Sequence, residues 1–270
     1  MKIGISNGIF KGEKNSRLKT LDLASGNVNS SFRTDVVQIS LNSNNIGDNG
    51  LLDLIAETGK KNKIEIITYI QRINSEKELE KVLPAHLGIL KNQEFKKIVF
   101  PYSKKVSISL TEKFNEWRIY PYIENSGHCG ITDCREEKKY RDFLNCVLDC
   151  GEKSMVGASL DIRRFFINES EESIEGVIQK ISNTCDILLK ECIPFILRVS
   201  GIKDFSFQRK DLVSLGCCED LIPQARILRE VLSRQVKLSD CYIMLECSDI
   251  DQALQGVNYL KSKVNLIGRN

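Results

Sequence analysis

Histidine is scarce in this chain: 270 residues contain two, His86 and His128. A metal centre that depends on several imidazole ligands therefore has no material to form from. Neither sign of charge dominates. With 39 Lys+Arg against 36 Asp+Glu the formal net charge is +3, which leaves no strongly basic footprint and no expectation of a nucleic-acid partner. Long apolar runs are missing too, because charge breaks each one early; no segment is expected to span a membrane, and no membrane partner is expected. The ten cysteines show no Cys-x-x-Cys spacing. Cys146 and Cys150 stand four apart and Cys217 and Cys218 are adjacent, a usage expected of small, reduced apolar residues. The first residues, MKIGISNGIFKGEK, are too polar for a secretory signal, so a cytoplasmic location is expected. No Pro-rich or Gly/Ser-rich stretch interrupts the sequence, and one domain over residues 1–270 is expected. At 41% hydrophobic and 28% charged, the chain can bury a core and is not a disordered polymer.

What is present is an alternation. Short runs rich in Ile and Val occur at 2–6, 35–41, 63–70, 97–101, 118–123, 156–161, 194–200 and 241–246. Between and after them lie segments of helical spacing at 16–24, 48–61, 75–91, 106–115, 135–150, 170–190, 219–234 and 249–262. Strands of a parallel sheet are covered on both faces, so they read as continuous apolar runs. The crossover between two of them needs a dozen or more residues, usually a helix. Leu144, Val147 and Leu148 carry the i, i+3, i+4 spacing of one buried stripe, as do Ile174, Val177, Ile178 and Ile181. Eight such units in this length predict a single α/β domain, a (β/α)8 TIM barrel. A doubly wound open sheet is the alternative, but no Gly-x-Gly-x-x-Gly follows the first run.

In a barrel of this kind the chemistry sits at the C-terminal ends of the strands. Asn7, Gln38, Asn42, Gln71, Tyr102, Glu124, Asn125, the stretch from Asp161 to Arg164, Arg198 and Glu246 all fall there. Acidic groups at the ends of apolar strands are costly to bury. Glu124 closes IYPYIEN, Asp161 closes VGASLD and Glu246 closes CYIMLE. Their runs lie in one half of a barrel, so the three side chains can converge. Converging carboxylates need a cation, and an all-oxygen set suits Mg or Mn.

Several of these stretches resemble the xylose isomerase-like TIM barrels, the sugar phosphate isomerase/epimerase group that also includes endonuclease IV-type proteins. YIEN at 122–125, SLDIRR at 159–164, LGCCEDLIPQARILREVL at 215–232 and IMLECSDIDQALQGVNYLKS at 243–262 carry the likeness. The N-terminal third matches only in pattern. The resemblance implies one divalent metal, Mn or Mg, on Glu124, Asp161 and Glu246, with Glu124 and Glu246 as acid and base. It implies proton transfer beside the carbonyl of a sugar or related small oxo or hydroxy compound, hence an isomerase or epimerase. The family's strand-seven His has no counterpart, and an ungapped reading puts Gly201 in its column. The family's His after the strand-six Asp appears as Arg164, and its strand-two Glu as Gln38. The trinuclear histidine-rich zinc site of endonuclease IV-type enzymes cannot be built.

Asn7, Gln38, Arg164 and Arg198 are assigned to substrate binding. If no metal is held, Arg163, Arg164 or Arg198 supplies the missing positive charge, since a guanidinium fork grips carboxylates bidentately. That alternative is proton transfer or lyase chemistry on an acid or peptide substrate in a biosynthetic pathway; a non-catalytic binding barrel is the third reading. The stretch 201–218, with Phe205 and Phe207, reads as a binding loop or lid. His86 reads as structural and His128 as a loop residue. A small-molecule substrate is the expected partner, with room left for a homo-oligomer.

Overall fold

The computed structural model describes residues 1–6, 16–27, 32–41, 47–70, 76–102, 107–127, 137–153, 155–166, 173–203, 212–233 and 241–267. Strands and helices alternate along them. In order they are β1 (Lys2–Ser6), α1 (Ser16–Ser25), β2 (Val36–Ser40), α2 (Asn49–Asn62), β3 (Glu65–Tyr69), α3 (Glu76–Leu90) and β4 (Lys96–Tyr102). Then come α4 (Ser107–Glu116), β5 (Ile119–Gly127), α5 (Glu137–Lys153), β6 (Gly157–Asp161), a one-turn 3-10 helix (Ile162–Phe165), α6 (Ile174–Lys190) and β7 (Phe195–Val199). A short pair, β8 (Gly201–Ile202) and β9 (Leu212–Val213), precedes α7 (Gln224–Leu232), β10 (Tyr242–Leu245) and α8 (Ile250–Ile267).

Eight strands close a parallel barrel in the order β1-β10-β7-β6-β5-β4-β3-β2. The predicted TIM barrel is the observed fold, and each apolar run marks one barrel strand, although β4 extends one residue beyond its run at each end and β5 continues past residue 123 to Gly127. The third run was expected from residue 63, but the strand begins at Glu65, because Lys63 ends α2 in the left-handed conformation (φ 55°) and donates its N–H to Gly59 and Lys60 carbonyls. Arg118 and Cys192 take the same conformation just before β5 and β7. The stretch after β7 holds a small antiparallel hairpin in which Gly201 pairs with Val213. Its tip, with Phe205 and Phe207, lies outside the described residues. Among the described residues no helix is long and apolar enough to cross a membrane. His86 is buried in α3, and burial lowers its imidazole to about 4, so it packs as a neutral ring. Cys146, Cys150, Cys185, Cys241 and Cys247 are buried as small apolar groups, whereas Cys192 and Cys218 are exposed.

Two cores result from the period of two along each strand. One face meets the helices, with Val37, Ile66, Ile123 and Leu197 buried there. The other faces the barrel axis, where Val36, Ile67, Val99, Tyr122, Ile196, Tyr242 and Met244 form a separate apolar layer. Below this layer, at the N-terminal end, Glu65 accepts hydrogen bonds from Lys2 (2.7 Å) and Tyr242 (2.9 Å) and pairs with Lys97. Above it, one step of two further along the chain, the inward positions turn polar. Val36 leads to Gln38, Ile67 to Tyr69, Tyr122 to Glu124, Ile196 to Arg198 and Met244 to Glu246. The apolar layer is thus the floor of a polar mouth.

Filling that layer requires a missing side chain. The Tyr122 ring lies against Gly157 on β6: a Cβ there would sit 2.5 Å from Tyr122 Cδ1 and 2.9 Å from the Pro194 carbonyl oxygen. Gly157→Ala is expected to destabilise the barrel by about 1–3 kcal/mol, since neither a packed ring nor a backbone carbonyl yields cheaply. Urea unfolding checks this, and an unchanged midpoint would show that Tyr122 does not need the space.

Candidate active site

Three carboxylates and three guanidiniums meet at the C-terminal mouth. Arg198, on β7, reaches in two directions. Its Nη1 pairs with Glu124 Oε1 from β5, and its Nη2 donates to Glu246 Oε2 at 3.1 Å, just past the end of β10. Arg163, in the 3-10 turn after β6, holds both oxygens of Asp161: Nε to Oδ1 at 3.1 Å and Nη2 to Oδ2 at 2.9 Å. The same Nη2 donates to Glu246 Oε2 at 2.6 Å. Arg164 Nε stands 3.6 Å from Asp161 Oδ2. Glu124 Oε2 accepts from the Tyr69 hydroxyl at 2.7 Å, and the Arg198 guanidinium lies over the Tyr69 ring at 5.1 Å.

Local sequence explains the placement. Asp161 ends β6 and caps the following turn, accepting from Arg163 N–H at 3.2 Å, so the two arginines are delivered at the rim straight after the acid. Asn125 ties β5 to β6, its Oδ1 accepting from Asp161 N–H at 2.8 Å and its Nδ2 donating to the Asp161 carbonyl at 3.3 Å. Asp161 is opposite Arg198 in the β6–β7 register, and Glu124 is opposite Ser159.

The electrostatics follow from burial against charge. Burial alone would raise the Asp161 carboxyl. The charges of Arg163, Arg198 and Arg164 and the Arg163 hydrogen bonds outweigh it and hold the group well below the usual carboxylate range. Burial works against the Arg163 and Arg198 cations as well, but their acidic partners keep both more firmly protonated than free arginine. Removing one member of such a set strands a charge in low dielectric, at a cost of about 3–5 kcal/mol.

Of the expected site residues, Glu124, Asp161, Glu246, Arg164 and Arg198 are brought together. Gln38 is on the inward face of β2. Asn7, like Asn42, Gln71 and His128, lies outside the described residues. Tyr102 packs edge-on to Phe143. Tyr69 was not anticipated; its signal was parity with Ile67 at the end of an apolar run. Arg163, considered only as one of three alternative counter-charges, is the most heavily engaged cation.

The three carboxylates expected to hold a metal are paired with arginines in this geometry. Each of Glu124, Asp161 and Glu246 is turned onto a guanidinium, and Arg198 stands between the two glutamates, where a shared ion would have to sit. Bringing a divalent cation among these arginines would set like charges in contact. Among the described residues no group of three or more His, Cys, Asp and Glu side chains is arranged to hold a metal. The donor set does not fit a resident divalent ion. Glu124 is 1% exposed and both its oxygens already accept. Glu246, with its side chain 27% exposed, is the accessible carboxylate.

Some polar atoms near this end have no partner among the described residues. They are Gln38 Nε2 and Oε1, Ser159 Oγ, Ser200 Oγ, Arg164 Nε and Arg198 Nε. Buried polar groups are nearly always paired, so a cluster of exceptions marks a place for a polar ligand or ordered water.

Comparison with known proteins agrees with the fold. No protein-family model and no curated protein matches the sequence. Among solved structures, a D-tagatose 3-epimerase-like protein aligns over 100% of this chain and 99% of its own, at TM-score 0.63 and 16% identity. A xylose isomerase domain protein from Alicyclobacillus acidocaldarius aligns over 99% of both chains, at TM-score 0.60 and 12% identity. A family 5 glycoside hydrolase from Prevotella bryantii B14, solved with a xyloglucan tetradecasaccharide, aligns over 98% of this chain and 95% of its own, at TM-score 0.56 and 9% identity.

Gln38 gives a direct test of the polar mouth. Gln38→Met keeps the volume and removes two unpaired polar atoms, so the ligand-free protein is expected to gain about 1–2 kcal/mol. A loss of stability in chemical denaturation would show that the amide is already paired. The structural likeness is one of fold: this chain shares a closed (β/α)8 barrel with these structures.

Proposed function

We propose that this barrel is a metal-independent isomerase that moves a proton between the two carbons of a hydroxy-carbonyl unit in a small polyhydroxy compound. The observation that carries the reading is Arg198, one guanidinium bridging Glu124 and Glu246. The barrel likeness to sugar epimerase and isomerase structures supports the substrate class; the likeness to a glycoside hydrolase is a reminder that fold does not fix chemistry.

The steps follow from exposure and hydrogen-bonding capacity. Glu246 takes the proton from the hydroxyl-bearing carbon beside the carbonyl, and the electron pair moves onto the carbonyl oxygen to form an enediolate. The Nε–H of Arg198, without a partner among the described residues, is the donor for that oxygen. Arginine stays protonated throughout, so it stabilises the charge without giving up its proton. The proton on Glu246 then returns to the neighbouring carbon, while the hydroxyl proton passes between the two oxygens. Atoms and charge balance, and the carbonyl has moved one position. Glu124 and Tyr69 hold Arg198 in place. A single accessible carboxylate serves one face of the enediolate, which favours aldose–ketose isomerisation over epimerisation; the latter needs a second carboxylate on the far face.

Deuterium exchange tests this without a known substrate. Neutral aldoses and ketoses and their carboxylate analogues are incubated with the protein in D2O plus a chelator, and label beside the carbonyl is followed by NMR. The expected result is chelator-insensitive incorporation that falls at least about 100-fold in Glu246→Gln and in Arg198→Lys. Incorporation that needs added Mn or Mg, that survives Glu246→Gln, or that never appears would overturn the proposal.

A further inference from the structure

The arginines at the mouth are not equally committed. Arg163 grips both oxygens of Asp161 and reaches Glu246, and Arg198 holds Glu124 and Glu246. Among the described residues Arg164 has one ion pair, a 3.6 Å approach to Asp161 Oδ2, an oxygen that Arg163 already holds at 2.9 Å. Its Nε has no hydrogen-bond partner among the described residues, and its side chain is 23% exposed. A guanidinium offers five N–H donors in a planar fork that matches a carboxylate. The turn that carries it is fixed by the Asp161 cap, so the fork is presented at the rim on a short, ordered segment.

Gln38 supplies the second observation. It is 2% exposed, shares the inward face of β2 with Val36, and has neither amide atom paired. Such an amide asks for a group that both donates and accepts, and a hydroxyl is the simplest. The barrel order sets β2 and β6 four strands apart in a ring of eight, on opposite sides of the mouth. β10, which leads into Glu246, lies two strands from each.

Resting on the reading of this mouth as the substrate site, we infer that the substrate is a hydroxy or oxo acid, its carboxylate on Arg164 and a distal hydroxyl on Gln38. A compound spanning these two points passes its middle carbons by Glu246. One negative charge is the fit. A dianionic phosphate would face Glu124, Asp161 and Glu246 with a single uncommitted guanidinium to balance it.

Side-chain NMR of the 15N-labelled protein reads this directly. The Arg164 Nε–H resonance, assigned by its loss in Arg164→Lys, is followed during titration with acetate, acetamide and inorganic phosphate at fixed ionic strength. Acetate is expected to shift it saturably, with half-saturation of about 1 mM to tens of mM. Acetamide, of the same shape but neutral, leaves it in place, and phosphate binds at least about tenfold more weakly. D-gluconate binds at least about tenfold tighter than acetate, and Gln38→Met removes that gain. No saturable shift, an equal response to acetamide, or tighter binding of phosphate would overturn the carboxylate assignment; gluconate no tighter than acetate would overturn the Gln38 half. The two proposals fail separately. Deuterium exchange confined to neutral sugars and unchanged in Arg164→Gln would sink the acid substrate and leave the proton transfer. Acetate saturating Arg164 with no exchange on any compound would do the reverse.

Discussion

One guanidinium organises this barrel's mouth. Glu124 comes from β5 and Glu246 from just past the end of β10, and both continue the inward parity of their strands. Two carboxylates brought together in this mouth repel each other and resist desolvation. Arg198 rises between them and meets each with a different nitrogen. Arg163 performs the same office for Asp161 and shares Glu246. Strand length, register and the composition of the apolar layer beneath set where these groups stand. Their mutual neutralisation allows them to stand there at all.

The arrangement divides labour among three acids that look equivalent in sequence. Asp161 is held ionised by the surrounding arginines and caps the turn that presents two of them. Glu124 is sealed between Tyr69 and Arg198. Glu246 alone keeps substantial contact with the opening. The chemistry consistent with this division uses one carboxylate for proton movement and fixed positive charge for the developing oxyanion.

Much of the fold was legible in the sequence, because parallel strands covered on both faces announce themselves as unbroken apolar runs. The eight runs located the eight barrel strands, and the strand-end rule then located Glu124, Asp161, Glu246 and Arg198. The partners of those residues were not legible. Whether a carboxylate meets a metal or an arginine depends on side-chain reach across the barrel, so Arg198 could be placed at the strand end without its two glutamate partners being readable. Tyr69 was hidden similarly: as an aromatic closing an apolar run it looks like core, and only parity with Ile67 turns it toward Glu124. The left-handed ends at Lys63, Arg118 and Cys192 were invisible because glycine, the usual residue there, is replaced by others. The hairpin after β7 was too short to give a periodic signal.

Whether Arg198 fills the place a metal would take between Glu124 and Glu246 is tested most directly by calorimetric titration with Mn. The wild-type protein, purified without a metal-affinity tag, should take up no stoichiometric Mn. Arg198→Gln, which frees two facing glutamates, should show a new site of oxygen donors. One equivalent of Mn bound tightly by the wild-type protein, and lost in Glu246→Gln, would contradict the account.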